Sequence, residues 1–158
     1  MKKQGFTLIE LMVVIVIMGV LAAVAVPKLF GMIAKSKASE VPTAAGTWVN
    51  LMDAYAVEAN AMGDWGQIGY SAPGTRVSSG SYNSVNFTYT DAANNVWTAT
   101  ATVKLNDCSA SQSWTLTPTL ATNSATSATY IEFQAGGEAN CRALTPSFDK
   151  LTRQGAQN

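Results

Sequence analysis

Residues 6–26 read Phe6-Thr7-Leu8-Ile9-Glu10-Leu11-Met12-Val13-Val14-Ile15-Val16-Ile17-Met18-Gly19-Val20-Leu21-Ala22-Ala23-Val24-Ala25-Val26. Glu10 is the one charge in this run, and Thr7 and Gly19 are its other breaks. At 1.5 Å per residue it makes about 31 Å of helix, enough to cross the hydrocarbon core of a bilayer. The basic leader before it, Met1-Lys2-Lys3-Gln4-Gly5, favours a topology with the N-terminus inside. A secretory signal peptide carries a shorter apolar stretch of about 7–15 residues, although Ala22-Ala23-Val24-Ala25 offers small residues to a peptidase. A plain signal anchor fits the length but leaves Glu10 unexplained. An ionised side chain within a spanning helix costs about 2–3 kcal/mol, so a membrane carboxylate points to function. The bland alternative is a glutamate that snorkels to the cytoplasmic interface.

Helical spacing continues past the apolar run. Leu29, Phe30, Ile33, Val41, Ala44, Ala45, Trp48, Leu51, Met52, Tyr55 and Ala59 recur in steps of three and four, opposite Lys28, Lys35, Lys37, Glu40, Asp53 and Glu58. The spacing predicts one helix from Phe6 to about Ala59, about 80 Å long. Its first half, 6–26, belongs in lipid or in the core of an assembly. The amphipathic continuation, 27–62, packs on a head formed by 63–158. Pro27 lacks an N–H and crowds the Ala23 carbonyl, so a kink or local melt is expected there, and Pro42 should act likewise. Gly19 adds a weak point. Pro27 otherwise marks the membrane boundary.

The rest of the chain excludes more than it names. Its 158 residues carry ten basic and ten acidic side chains, 47% hydrophobic residues and only 13% charged ones, so no basic excess serves specific nucleic-acid binding. Histidine is absent, which removes Ser-His-Asp and Cys-His catalysis and every histidine-containing metal site. No catalytic, metal or cofactor constellation is found. Asp107, Glu132, Glu138 and Asp149 lack a calcium-loop spacing, and Lys104, Arg142, Lys150 and Arg153 read as scattered surface charge.

Beyond Gly63 the composition turns to Ser, Thr, Asn, Gly and aromatics. Residues 64–84 read as a long irregular connection whose Trp65, Tyr70 and Tyr82 are candidates for exposure. Strands are predicted at Val85–Thr90, Val96–Leu105, Ser113–Leu120 and Thr129–Gln134, with Asp91 to Asn95 as a turn. Pro118 should demote its strand to an edge or end it early. The expected fold class is α+β: a long N-terminal helix packed against a four-stranded antiparallel sheet that covers the Trp48–Tyr55 stripe. An N-in anchor places the head in an oxidising compartment, where Cys108 and Cys141 are expected to pair rather than remain two buried thiols. Their closed loop would add about 3–4 kcal/mol.

Gly5-Phe6-Thr7-Leu8-Ile9-Glu10-Leu11, after a short basic leader and before an unbroken apolar run, resembles the class III signal of type IV pilins and pseudopilins. The likeness is close over roughly the first 30 residues and architectural beyond them. It implies cleavage between Gly5 and Phe6 by a prepilin peptidase, leaving 1–5 as a removed leader, and N-methylation of the new Phe6 amine. Glu10 would then pair with the Phe6 amine of a neighbouring subunit. An unpaired carboxylate in an apolar core carries a penalty of several kcal/mol, which can select register. The segment from Gly19 to Pro27 could lose helicity as a filament extends, and the cysteine pair resembles the staple of many pilin C-terminal regions.

The implied partners are identical subunits in a helical filament, the prepilin peptidase, an inner-membrane assembly platform with its ATPase, and the bilayer before assembly. The implied location is the bacterial inner membrane, then an extracellular pilus serving adhesion, twitching motility or DNA uptake. The nearest alternative is a pseudopilin of a type II secretion system, whose major forms use a calcium-bound loop where this chain has cysteines. A membrane-anchored enzyme or receptor is the third reading, and no catalytic grouping supports it.

Overall fold

The computed structural model describes residues 5–155, so Met1 to Gln4 of the expected leader and the last three residues of the expected head lie outside the described residues. The described chain falls into two units, divided between Ile33 and Ala34. The first consists of the apolar part of helix α1, which spans Leu8–Ala38 and runs through Gly19 and Pro27 without interruption. Its side chains from Phe6 to Ile33 are almost all exposed.

In the second unit the end of α1 is followed by α2 (Glu40–Ala59), with only Ser39 between them. Ser39 keeps helical dihedrals, φ −62° and ψ −17°. The break has a local cause. Pro42 has no N–H to give the Ala38 carbonyl, and the Ser39 hydroxyl takes the Ser36 carbonyl at 2.7 Å. Helix α2 ends at Asn60, which adopts the left-handed conformation of a helix stop.

The sheet has six antiparallel strands in sequence order: β1 (Thr75–Ser78), β2 (Ser81–Asn83), β3 (Phe87–Ala92), β4 (Val96–Ala101), β5 (Ser113–Thr122) and β6 (Thr129–Gly137). Four strands were expected, and the two additional ones lie in the stretch read as an irregular connection. Their residues are mostly Ser, Thr, Asn and Arg, and β1 is exposed throughout, so neither has the apolar alternation that marks a half-buried strand. The strand expected at Val96–Leu105 stops at Ala101. Its neighbour's chain leaves the ladder there: Ser111 and Gln112 close onto Ala101, while Leu105 and Cys108 form a separate small bridge.

Pro118 does not shorten β5, which runs for ten residues between β4 and β6. It sits beyond the last β4 pairing, Trp97 with Leu116, and opposite Phe133, whose own N–H and carbonyl turn away to Arg153. The missing N–H therefore faces a side where no strand remains to accept it.

Helix α2 lies against β5 and β6, and the short helices α3 (Ala139–Arg142) and α4 (Pro146–Asp149) close the same side. Trp48 and Met52 of α2 are fully buried with Phe87, Tyr89, Trp97, Trp114, Leu116 and Phe133 of the sheet and Phe148 of α4. The rings interlock edge-on: Trp48 with Phe133 at 5.5 Å and Phe87 with Trp114 at 5.6 Å between centroids. Trp65 and Tyr70, considered for exposure, are instead buried at 2% and 4%. Gly137 has φ +104°, and a Cβ there would overlap the Ser113 carbonyl, so this strand end is open only to glycine.

Candidate assembly site

The N-terminal residues form a helix start with a specific hydrogen-bond pattern. The Glu10 carboxylate accepts from the Thr7 backbone N–H at 2.9 Å and from the Thr7 hydroxyl at 2.6 Å. The Glu10 N–H in turn points at the Thr7 oxygen at 3.4 Å. This is a capping box, in which two amides left over at a helix start are satisfied reciprocally. Thr7 was not singled out from the sequence, although the pattern Thr7-x-x-Glu10 ahead of an apolar run carries that signal.

Gly5 stands in open space and Phe6 is 85% exposed immediately before the box. Among the described residues Glu10 is therefore hydrogen-bonded by Thr7 and by no group of Phe6. One helical face cannot hide the apolar run that follows: Leu8, Ile9, Leu11 and Met12 are exposed, and so are Val24, Leu29 and Phe30 near its far end. A helix apolar on every side needs lipid or other helices around it. Gly19 and Pro27 lie inside α1, and Pro42 lies three residues after the interruption at Ser39.

Far along the chain, Cys108 and Cys141 are joined, with Cα atoms 4.6 Å apart and both residues buried. The bridge fastens the loop after β4 to α3. Three further polar links that the sequence did not disclose hold this region. Trp114 donates from Nε1 to Thr145 Oγ1 at 2.9 Å. Arg153 pairs with Asp53 of α2 and lies over the Phe133 ring, 5.2 Å from its centroid. The Tyr89 hydroxyl donates to Glu40 Oε1 at 2.8 Å, and burial together with that carboxylate pushes the phenol well above its ordinary range.

The first 26 residues match the Prokaryotic N-terminal methylation motif. The chain is type IV pilin-like. It is 52% identical over 42 residues to the type IV major pilin protein PilA of Myxococcus xanthus, covering 27% of this chain and 19% of that protein. The likeness to the type IV major fimbrial protein FimA of Dichelobacter nodosus is 50% over 44 residues, 28% of each. The type II secretion system core protein G of Escherichia coli is 42% identical over 57 residues, 36% of this chain and 39% of that one. The matches thus span less than two fifths of these relatives' length. No solved structure matches the chain. The fold is pilin-like in kind: a long N-terminal apolar helix and, packed on its continuation, an antiparallel sheet, with a disulfide joining the loop after β4 to α3.

Proposed function

We propose that this chain is a structural subunit of a type IV pilus. A prepilin peptidase removes residues 1–5 by cutting between Gly5 and Phe6 and methylates the Phe6 amine. The segment 6–26 is stored in the inner membrane and becomes the core of an extracellular filament of identical subunits, raised by an assembly platform and its ATPase. Residues 27–62 carry the head, 63–158. The observation that carries the reading is the junction itself, an open Gly5-Phe6 bond one turn from Glu10 at the head of a helix apolar on all sides.

Chemistry explains the order of events. While the chain is intact, residue 6 is a neutral amide and Thr7 satisfies Glu10. Cleavage creates a cation one turn away. The Phe6 amine of a neighbour can then meet the carboxylate where no water competes, and a wrongly registered subunit leaves both charges unpaired. Helicity lost between Gly19 and Pro27 would let the head rotate into the filament lattice, with Pro42 adjusting the helix on the head side. The fibre would serve adhesion, twitching motility or DNA uptake.

The second reading is a type II secretion pseudopilin, favoured by the likeness to core protein G. The Cys108–Cys141 bridge favours the pilus. Intact mass under non-reducing conditions separates them. Sheared surface fibres should yield a 153-residue chain, five residues shorter than the 158 encoded, N-methylated at Phe6 and two hydrogens lighter than the dithiol. The same mass confined to the envelope fraction would support the pseudopilin. A chain retaining residues 1–5 would overturn both.

A further inference from the structure

Among the described residues three buried side-chain atoms have no hydrogen-bond partner: the indole nitrogens of Trp48 and Trp65, and one oxygen, Oδ1, of Asp91. Trp65 and Asp91 meet, because the Trp65 backbone N–H donates to the other Asp91 oxygen, Oδ2, at 3.2 Å. Trp65 is only 2% exposed. Buried polar groups are normally satisfied, so an unmet donor and an unmet acceptor on two touching residues call for a ligand that answers both.

The sheet register gathers the neighbourhood. Arg76 of β1 pairs with Tyr82 of β2, Tyr82 pairs with Tyr89 of β3, and Asp91 stands two residues beyond Tyr89. Cross-strand partners, and residues two apart on one strand, share a face. Arg76, Tyr82 and Asp91 therefore share the face on which Trp65 lies, its ring centroid 6.0 Å from that of Tyr82. Two cavities flank Trp65. One, of about 190 Å³, has Arg76, Tyr70 and Tyr82 in its wall. The other, of about 110 Å³, has Asp64 and Asp91. Trp65, Gly66, Ser79 and Gly80 line both, so two residues without side chains bound the place where the cavities adjoin.

The two ends are opposite in charge, and among the described residues none of Arg76, Asp64 and Asp91 is in an ion pair. Arg76 donates from Nε to the Ser78 carbonyl and keeps its terminal nitrogens. Asp64 Oδ1 accepts from the Gln67 N–H, which leaves Oδ2. Burial pushes the Asp91 carboxyl above its ordinary range against the Trp65 hydrogen bond, and Asp64 adds to the push. A cation at this end relieves both. A metal ion suits it poorly: no group of three metal-ligating side chains occurs among the described residues, whereas calcium takes roughly six to eight oxygens. An ammonium, with its spread of N–H donors, needs fewer.

We propose that the two cavities together hold a free α-amino acid with an apolar side chain. Its ammonium lies on Asp64 and Asp91 Oδ1, its carboxylate on Arg76 and the Trp65 indole N–H, and its side chain on the Tyr82 ring. Bound there, it fastens the loop around Trp65 to the β1–β2 hairpin, adding to the Tyr82–Ser71 hydrogen bond of 3.4 Å. The site does not depend on whether the chain serves a pilus or a secretion system.

The test is isothermal titration calorimetry of the full chain in mild detergent at neutral pH, with L-leucine, N-acetyl-L-leucine, L-leucine methyl ester and calcium chloride. Leucine should bind roughly tenfold tighter than either blocked form, since one lacks the ammonium and the other the carboxylate. Asp91→Asn should abolish the advantage over N-acetyl-leucine, and Arg76→Gln the advantage over the ester. Arg76 is exposed on β1, so its variant tests the site even where Asp91→Asn unfolds the head, which circular dichroism reads directly. Equal binding of leucine and its blocked forms, or a preference over the ester that Arg76→Gln leaves unchanged, overturns the proposal. So does calcium binding without leucine binding, or no leucine binding at millimolar concentration.

Discussion

Tyr70→Phe removes one oxygen atom from the core and disconnects three elements. The Tyr70 hydroxyl accepts from Trp97 Nε1 of β4 at 3.1 Å and donates to the Ala44 carbonyl of α2 at 3.1 Å. Trp97 is fully buried, so its N–H would be left with no partner, a loss of about 1–3 kcal/mol. The Ala44 carbonyl keeps its place in the helix ladder, and losing the second bond adds about 0.5–1 kcal/mol. The expected destabilisation is about 2–3 kcal/mol. For a unit the size of Ala34–Asn158 each kcal/mol moves Tm by about 3–5 °C, so the substitution should lower it by about 6–15 °C.

Near-ultraviolet circular dichroism of the full chain in detergent follows the buried tryptophans through melting. Tyr130→Phe, at a half-exposed ring, serves as control and should leave Tm within about 1 °C. The double-mutant cycle with Trp97→Phe should show coupling of about 1–2 kcal/mol. A Tm change under about 2 °C, or strict additivity in the cycle, would refute the claim that this hydroxyl joins loop, helix and sheet.

Three further outcomes are expected. Burial raises the Tyr70 phenol to about 12, above the ordinary tyrosine value of about 10. The neutral phenol is therefore favoured by the fold: its stabilisation is complete below pH 10 and disappears as pH rises to about 12. In a spectrophotometric titration of the folded chain, phenolate absorbance below pH 11 should have the same amplitude with and without Tyr70, and a smaller amplitude in Tyr70→Phe would contradict this. Replacing Cys108 and Cys141 together by serine opens a connection between residues 33 apart and should cost about 3–4 kcal/mol in denaturant unfolding; an unchanged midpoint would show that the bridge adds nothing. Gly137→Ala combines a forbidden φ with a clash on the Ser113 carbonyl and should cost about 2–6 kcal/mol, seen as loss of folded protein at 37 °C, whereas Gly31→Ala, in open space on α1, should fold normally.

The elements legible in the sequence were those whose periodicity records burial. Phe6 to Val26 announces itself by lacking polar residues, and Val96 to Ala101 and Ser113 to Leu120 by alternating large apolar residues with threonine. The β1–β2 hairpin left no such mark, because an exposed edge need not alternate; its signal was the Ser79-Gly80 turn, with Gly80 at φ +68°. The extension of the second strand to Leu105 was misread because Val103 and Leu105 continue the alternation after the hydrogen-bonded ladder has ended. At the N-terminus the residue types of Gly5, Phe6 and Glu10 were readable, while Thr7 was hidden by being taken as a mere break in an apolar run. Asp53 with Arg153 and Tyr89 with Glu40 pair across 100 and 49 positions. Only the tertiary fold brings such partners together.

The meander order of the sheet has a kinetic consequence. Every strand from β2 to β6 lies beside the strand that precedes it in the chain, so each pairing closes only a short loop. A chain that becomes available from its N-terminal end can add strands one at a time, in the order in which they arrive, with no early strand waiting for a distant partner. Two closures cannot occur until the end has emerged: the joining of Cys108 to Cys141, and the docking of Arg153 against Phe133 and Asp53. The backbone of β6 stays unpaired on its outer side until that last segment arrives. Chains arrested before it would present an open strand edge to their neighbours, and these, rather than unfolded heads, are the species prone to associate.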